Sequence, residues 1–488
     1  VNRIFGEYEL PRFFARATLV PLRSYGRYRN PAARDSGSPV SFDESPANHG
    51  ASGLPLPHQL SVVQAAQALR ANTLTSEQLV RSCLQRISAR EPFVKAWAAL
   101  DAQAALAAAR ERDAESPRSI LHGMPIAVKD VIDTSDLATE YNSPIYRGHR
   151  PAADAAVVAR ARAAGMIVLG KTVTQEFATR GTLGETRNPH NLEHTPGGSS
   201  SGSAAAVADF MVPLAISTQT AGSIIRPASF CGIVGFKASL DSWDATGMKC
   251  LVPEFDTLGV HVRHVADASL ALEIFGCAAA PAMPDRQPQR PADRALRLRL
   301  CRTHSWEQAD GATREALTLA TRLLERAGVV VEQCELPDLY RQVAQAQDLI
   351  TDYRVARSLA HEWDAHREQL SGELQAKIRR GLAIEYDAYR EALDTVMRGR
   401  AQGAALFEDC DGLLTPSASC LAPRFDAKDT GHAAFNKIWT ALGNPCIGIP
   451  LPPLAGRLPI GVQIVGEFGR DSRALWAALQ VEKIFDDG

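Results

Sequence analysis

Apolar positions along the chain fall into two textures. From Ser61 they recur at helical spacing, and TSEQLVRSCLQRI (75–87) opens on Thr75 with Gln78 three residues later, the pattern of a capping box. DAQAALAAARERDAE (101–115) is Ala-rich and predicts another helix. Beyond it, short runs dense in Val, Ile and Leu alternate with helical stretches. The runs predict strands at MPIAVKD (124–130), MIVLG (166–170), VPLAIS (212–217), LRLCRT (298–303), VVVEQCEL (329–336), DGLLTP (411–416), CIGIPL (446–451) and IGVQIVG (460–466). Between them AAVVARARAAG (155–165), SGSAAAVAD (201–209) and ATREALTLATRLLERAG (312–328) predict helices. Residues 340–407 read as long charged helices that cover the sheet or flank a substrate entrance. This alternation predicts an α/β fold: a single large domain with a central mixed, mostly parallel sheet covered by helices on both faces.

The first 57 residues differ. Arg3, Arg12, Arg16, Arg23, Arg27, Arg29 and Arg34 stand among few acids, and a Gly/Ser/Pro-rich stretch follows. There is no apolar core of the length a secretion signal needs. Residues 1–57 therefore read as an irregular N-terminal extension, and 58–488 as the domain. The 488 residues carry 53 Lys plus Arg against 55 Asp plus Glu, a balance that attracts neither nucleic acid nor an anionic membrane. No apolar run approaches the roughly 18 residues of a spanning helix. The nine Cys are scattered without a CxxC pair, which points to reduced thiols and a cytoplasmic protein rather than a disulfide framework or zinc site.

Three motif matches fail on their context. GMIVLGKT (165–172) fits the phosphate-loop pattern, but its four variable residues are apolar and want to be the strand itself, and a helix precedes them. Lys171 then reads as a turn residue after that strand, and nucleotide binding is not expected. HEWDAH (361–366) resembles a zinc-protease motif, but its His residues are five apart where one helical face needs four, so it reads as a surface helix. GSSSG (198–202) would make Ser200 a hydrolase nucleophile, but a polar loop precedes it instead of a buried strand.

Three other stretches carry chemistry. GMPIAVKDVIDT puts Lys129 at the end of an apolar strand. Burial there disfavours the ammonium and makes a neutral base. TPGGSSSGSAAAVAD combines close-approach glycines with hydroxyls that hand protons along. STQTAGSIIRPASFCGIVGFKAS leads small residues into Ser223, where successive amides converge on one spot as an oxyanion hole does. Each alone has a plainer reading: a snorkelling lysine, a flexible loop, a turn.

Taken together and in this order, they resemble the amidase signature family over roughly residues 58–485. EFDTLGV (254–260), DGLLTPS (411–417), LGNPCIGIP (442–450) and LPIGVQIVG (458–466) look like family segments too. The resemblance implies a Ser–Ser–Lys triad: Lys129 the base, Ser199 the bridging serine on a cis peptide, and Ser223 the nucleophile. It also implies an oxyanion and substrate-binding surface at Thr220, Ala221, Gly222 and Ala178. No metal or organic cofactor is implied.

The chain departs from the family pattern in places. Many members have Asp where Gln219 stands and Arg where Ile225 stands, with Arg226 here one place later. This looks like the TQTxGSxxRPA branch, with Arg226 partnering something else, and it argues against the A-type component of a glutamyl-tRNA amidotransferase. Lys237-Ala238-Ser239 lacks the usual central Pro, which alters a turn expected near the substrate. The expected activity is hydrolysis of a small-molecule carboxamide through an acyl-enzyme, with no nucleic-acid or membrane partner and a homodimer left open. The alternatives are a carbamate, urea-type or aryl ester/anilide hydrolase, and a partner-dependent amidotransferase-type subunit.

Overall fold

The computed structural model describes residues 55–179, 181–276, 295–452 and 456–487. The expected extension over 1–57 lies almost wholly outside the described residues. All the described residues fall within one unit, Gly37–Gly488.

Eleven strands form one sheet: β1 Trp97–Leu100, β2 Pro125–Lys129, β3 Ile167–Thr172, β4 Leu214–Gln219, β5 Val234–Lys237, β6 Thr257–Val262, β7 Arg297–Cys301, β8 Val330–Cys334, β9 Gly412–Pro416, β10 Cys446–Pro450 and β11 Gly461–Val465. Their order is β1-β3-β2-β4-β6-β5-β10-β11-β9-β7-β8. All eight predicted strands are present. The mixed character holds, but "mostly parallel" needs correcting. Parallel pairing is confined to β3-β2-β4 and to β9-β7-β8, and every other neighbouring pair is antiparallel. Four of the six antiparallel pairs involve the strands that periodicity missed, and β10-β11 and β11-β9 are the other two. β5 is four residues long with a Gly inside, and β6 alternates Leu258, Val260 and Val262 with Thr257, Gly259 and His261 although it is buried throughout, so neither forms the continuous apolar run by which the other strands were read. β1 is a short, half-exposed strand paired to β3.

The helices follow their caps. Helix Ser76–Val94 begins at Thr75, whose side chain accepts from Gln78 N while the Gln78 side chain accepts from Thr75 N. It buries Leu79, Val80, Cys83 and Ile87 on one face, each aliphatic side chain stabilising the fold by about 1.5–3 kcal/mol. The predicted charged region resolves into helices Asp338–Ser358, Ala360–His366, Gly372–Leu382 and Tyr386–Gln402. Among the described residues no helix is long and apolar enough to cross a membrane.

Two local expectations change. Lys171 is not in a turn: it lies inside β3, fully buried, bonded to Thr139 Oγ1 and 3.4 Å from Asp130. The Lys237-Ala238-Ser239 turn docks on the C-terminal helix Asp471–Asp487 instead of lining a cavity. Ser239 N donates to Asp471 Oδ1 at 2.7 Å, its hydroxyl donates to Asp471 Oδ2, and Asp471 is buried. Asp471→Ala strands the buried Ser239 amide and should lower unfolding stability by about 1–3 kcal/mol, read by chemical denaturation. An unchanged midpoint would show that other contacts hold this turn.

Candidate active site

The parallel trio β3-β2-β4 ends where β2 and β4 deliver their last residues side by side. Val128 pairs with Ile216, so Lys129 emerges beside Ser217 and Thr218. Open sheets bind ligands beyond the carboxyl ends of such strands. Lys129 is fully buried there. Its Nζ lies 2.8 Å from Ser199 Oγ, 2.8 Å from Thr218 Oγ1 and 3.4 Å from the Thr218 carbonyl. Burial pushes the amine down to about 7, with the carboxylate of Asp256 opposing that shift. These three oxygens match the three donors of the ammonium; in the neutral amine, two N–H groups on the Thr218 oxygens would leave the lone pair for the Ser199 proton.

Ser199 arrives on the loop before helix Ser201–Ala208, and the Gly198–Ser199 peptide is cis. The glycines of this loop allow close approach. A Cβ on Gly202 would stand 2.2 Å from the Ala96 carbonyl oxygen and 2.4 Å from Val173 N. Gly197 has φ +85° and packs against the Pro227 backbone. The Gly198 carbonyl accepts from the Arg226 guanidinium, so the shifted arginine does have its own partner, on the serine loop.

Ser223 follows β4 and precedes helix Ile225–Cys231. It is 9% exposed and lines a cavity of about 410 Å³. Thr220, Ala221, Gly222 and Ala178 line the same cavity. Among the described residues the amides of Ala221, Gly222 and Ser223 donate to no protein acceptor, and such amides are ready for an oxyanion. The Ala178 amide is different, because it donates to Gln175 O at 2.8 Å. Ala178 and Phe177 both adopt left-handed backbone, φ 56° and 48°, which turns this segment against the cavity. No hydrogen bond joins Ser199 to Ser223 at rest among the described residues. Resting enzymes often show such contacts loose.

Several residues here carried no sequence signal of their role. Thr218 holds the lysine. Asp256, in the EFDTLGV segment, accepts from the Thr220 hydroxyl and from the amides of Leu251 and Val252 at 2.8 and 2.9 Å, and burial pushes its pKa above the usual carboxylate range. His261 on β6 bridges Ser217 Oγ at 2.9 Å and the Ile224 carbonyl at 3.0 Å beneath the loop that carries Ser223, and burial lowers it to about 3, so it is a neutral strut. The HEWDAH helix is more than a surface helix. Glu362 is buried, accepts from Tyr146 OH at 2.7 Å and pairs with Lys249 at 2.7 Å. Among the described residues no group of His, Cys, Asp or Glu is placed to hold a metal ion. Ser200 stands just before helix Ser201–Ala208, and its hydroxyl donates to Thr218 O at 3.3 Å.

The cavity wall mixes charges. Lys437 pairs with Asp348, while Glu373, Lys377 and Asp429 also face the space, with Leu251, Val252 and Val355 as its apolar part.

The sequence model of the Amidase family matches residues 78–475. Curated relatives include the A component of the glutamyl-tRNA(Gln) amidotransferase of Roseiflexus castenholzii, 36% identical over 57% of this chain. There the match spans 60% of the relative's length. The protein of the same name from Symbiobacterium thermophilum is 31% identical over 87% of this chain and 96% of its own. Among solved structures, the native peptide amidase of Stenotrophomonas maltophilia is 29% identical with a TM-score of 0.76, over 88% of this chain and 98% of that one.

The geometry sets a pH expectation. Labelling of Ser223 by a fluorophosphonate should rise as pH climbs through about 7, where Lys129 loses its proton. Asp256→Asn removes the charge that favours the ammonium, so the rise should move to lower pH. A limb that stays in place, or moves to higher pH, would exclude this coupling.

Proposed function

The chain belongs to the amidase family, and from that membership we propose that it hydrolyses carboxamide C–N bonds through an acyl-enzyme on Ser223. The observation that carries the reading is the buried Lys129 amine, 2.8 Å from Ser199 Oγ and brought down to about 7 by burial, so that a large fraction is unprotonated at neutral pH. Lys129 takes the Ser199 proton, Ser199 takes the proton of Ser223, and Ser223 Oγ attacks the amide carbon. The amides of Ala221, Gly222 and Ser223 receive the oxyanion. Collapse breaks the C–N bond, and the proton returns through Ser199 to the leaving nitrogen. Water then cleaves the ester by the same relay in reverse. A cavity of about 410 Å³ with charged groups of both signs suits a small or medium polar carboxamide.

A second reading has its own support. The relative from Symbiobacterium thermophilum, matched over 96% of its length, is one component of an amidotransferase by name. In that reading the same serine chemistry releases ammonia to a partner. Gln219 in place of the common Asp favours the stand-alone hydrolase.

Intact mass after fluorophosphonate treatment should show one added label, lost in Ser223→Ala. A label that persists in that variant would remove Ser223 as nucleophile. Lys129→Ala should lower turnover by at least about 10²-fold while the protein stays folded by circular dichroism. The purified single chain should release ammonia or amine from an unbiased panel of carboxamides, carbamates and aryl esters. Activity that appears only on adding a partner protein decides for the amidotransferase reading.

A further inference from the structure

We propose that Gln219 and Thr440 act as a polar relay that fixes the Ala221–Gly222 peptide with its N–H toward the reacting carbonyl. The proposal rests on the reading of Ser223 as nucleophile. It concerns a different question: why this chain has an amide at 219, and what orients the loop.

The proton positions follow from the heavy atoms. Gln219 Oε1 lies 2.8 Å from Ile224 N and 3.1 Å from Ile225 N, both donors at the start of helix Ile225–Cys231. Only the carbonyl oxygen of the side chain satisfies them, so the NH₂ faces the other way. There it meets Thr440 Oγ1 at 2.9 Å. An NH₂ group cannot accept, so the Thr440 hydroxyl must accept from it. The single hydroxyl proton is then free to go outward. Two acceptors lie within reach, the Ala221 carbonyl at 2.8 Å and Asn436 O, one turn back in the same helical segment, at 3.2 Å. The shorter contact takes it. Gln219 and Thr440 are fully buried, so no water competes.

The consequence reaches the catalytic loop. A trans peptide sets its N–H opposite its C=O. Holding the Ala221 carbonyl against Thr440 therefore points the Gly222 N–H the opposite way. The peptide before it is held similarly, since Gln347 Nε2 donates to the Thr220 carbonyl at 3.1 Å. Among the described residues neither the Ala221 nor the Gly222 amide finds a protein acceptor, and both residues line the cavity beside Ser223. A carboxylate at 219 would still cap the helix, but its second oxygen would accept the Thr440 proton and strip the Ala221 carbonyl of its donor. Gln219 and Thr440 are positioning residues that act through the backbone.

The test is the second-order rate of fluorophosphonate labelling at Ser223, measured beside the thermal midpoint. Thr440→Val removes the hydroxyl at nearly constant shape and should slow labelling by at least about tenfold, because misplaced oxyanion donors cost that much or more. Thr440→Ser should restore the rate to within about threefold of the parent, by the same logic. Gln219→Glu, which keeps length and reverses polarity, should slow labelling like Thr440→Val. The double variant should be no slower than either single one, since both break one link. Folded Thr440→Val that labels at the parental rate, with only its midpoint lowered, overturns the proposal and leaves Thr440 a packing residue. Full additivity of the two variants also overturns it. A parent protein that takes no label at Ser223 overturns the site reading and this proposal together.

Discussion

A buried amine with no carboxylate in contact among the described residues governs this structure. Lys129 sits at the carboxyl end of β2, removed from water and touched by two hydroxyls and a carbonyl. Had a carboxylate stood within bonding distance, the ammonium would be held charged and useless as a base. With only neutral oxygens in contact, burial brings the amine down to about 7 instead. Everything nearby serves that arrangement. β4 supplies Thr218, the serine loop supplies Ser199, and Asp256 is held off by its bonds to Thr220, Leu251 and Val252. Asp256 thus tempers the downward shift of Lys129 without bonding to it.

The same neighbourhood is knitted across long stretches of chain. Arg226 on helix Ile225–Cys231 holds the serine loop through Gly198 O. His261 on β6 holds Ile224 from below. Gln347, on helix Asp338–Ser358, reaches Thr220 across the cavity wall. Loops that must present amides and hydroxyls to a substrate cannot satisfy themselves, so buried side chains from the sheet and the covering helices take their carbonyls. This is why a region built from Gly, Ser and Thr is ordered rather than slack.

That division explains what was legible in the sequence. Lys129, Ser199 and Ser223 stood out because chemistry restricts residue type at those places and the segments around them are contiguous. Eight strands were legible because parallel or central strands read as plain apolar runs. β6 was not, since Thr257, Gly259 and His261 interrupt its apolar positions for reasons of close packing and support. The partners of the site were hidden for a different reason. Thr440 and Gln347 lie 219 and 127 residues from the carbonyls they hold, and nothing in their local sequence distinguishes them from other helical polar residues. The Lys237-Ala238-Ser239 turn misled because adjacency in sequence to the site was taken for adjacency in space, whereas the turn faces Asp471.

Two lysines on neighbouring strands make the controlling variable visible. Lys171 lies on β3 opposite Val128, one register position from the Lys129–Thr172 pair. Both amines are fully buried, and burial pushes both downward. Lys171, however, faces Asp130 at 3.4 Å, and that carboxyl is itself pushed up to about 6 by burial. The two groups face one another as an ion pair that costs desolvation and returns attraction. Lys129 has no such partner among the described residues, and its neighbours are groups that a proton can pass through. The phosphate-loop pattern around Lys171 is therefore a strand whose lysine is spent on structure. What separates the lysine proposed as base from the structural one on these neighbouring strands is one carboxylate, present beside Lys171 and replaced beside Lys129 by the hydroxyls of Thr218 and Ser199.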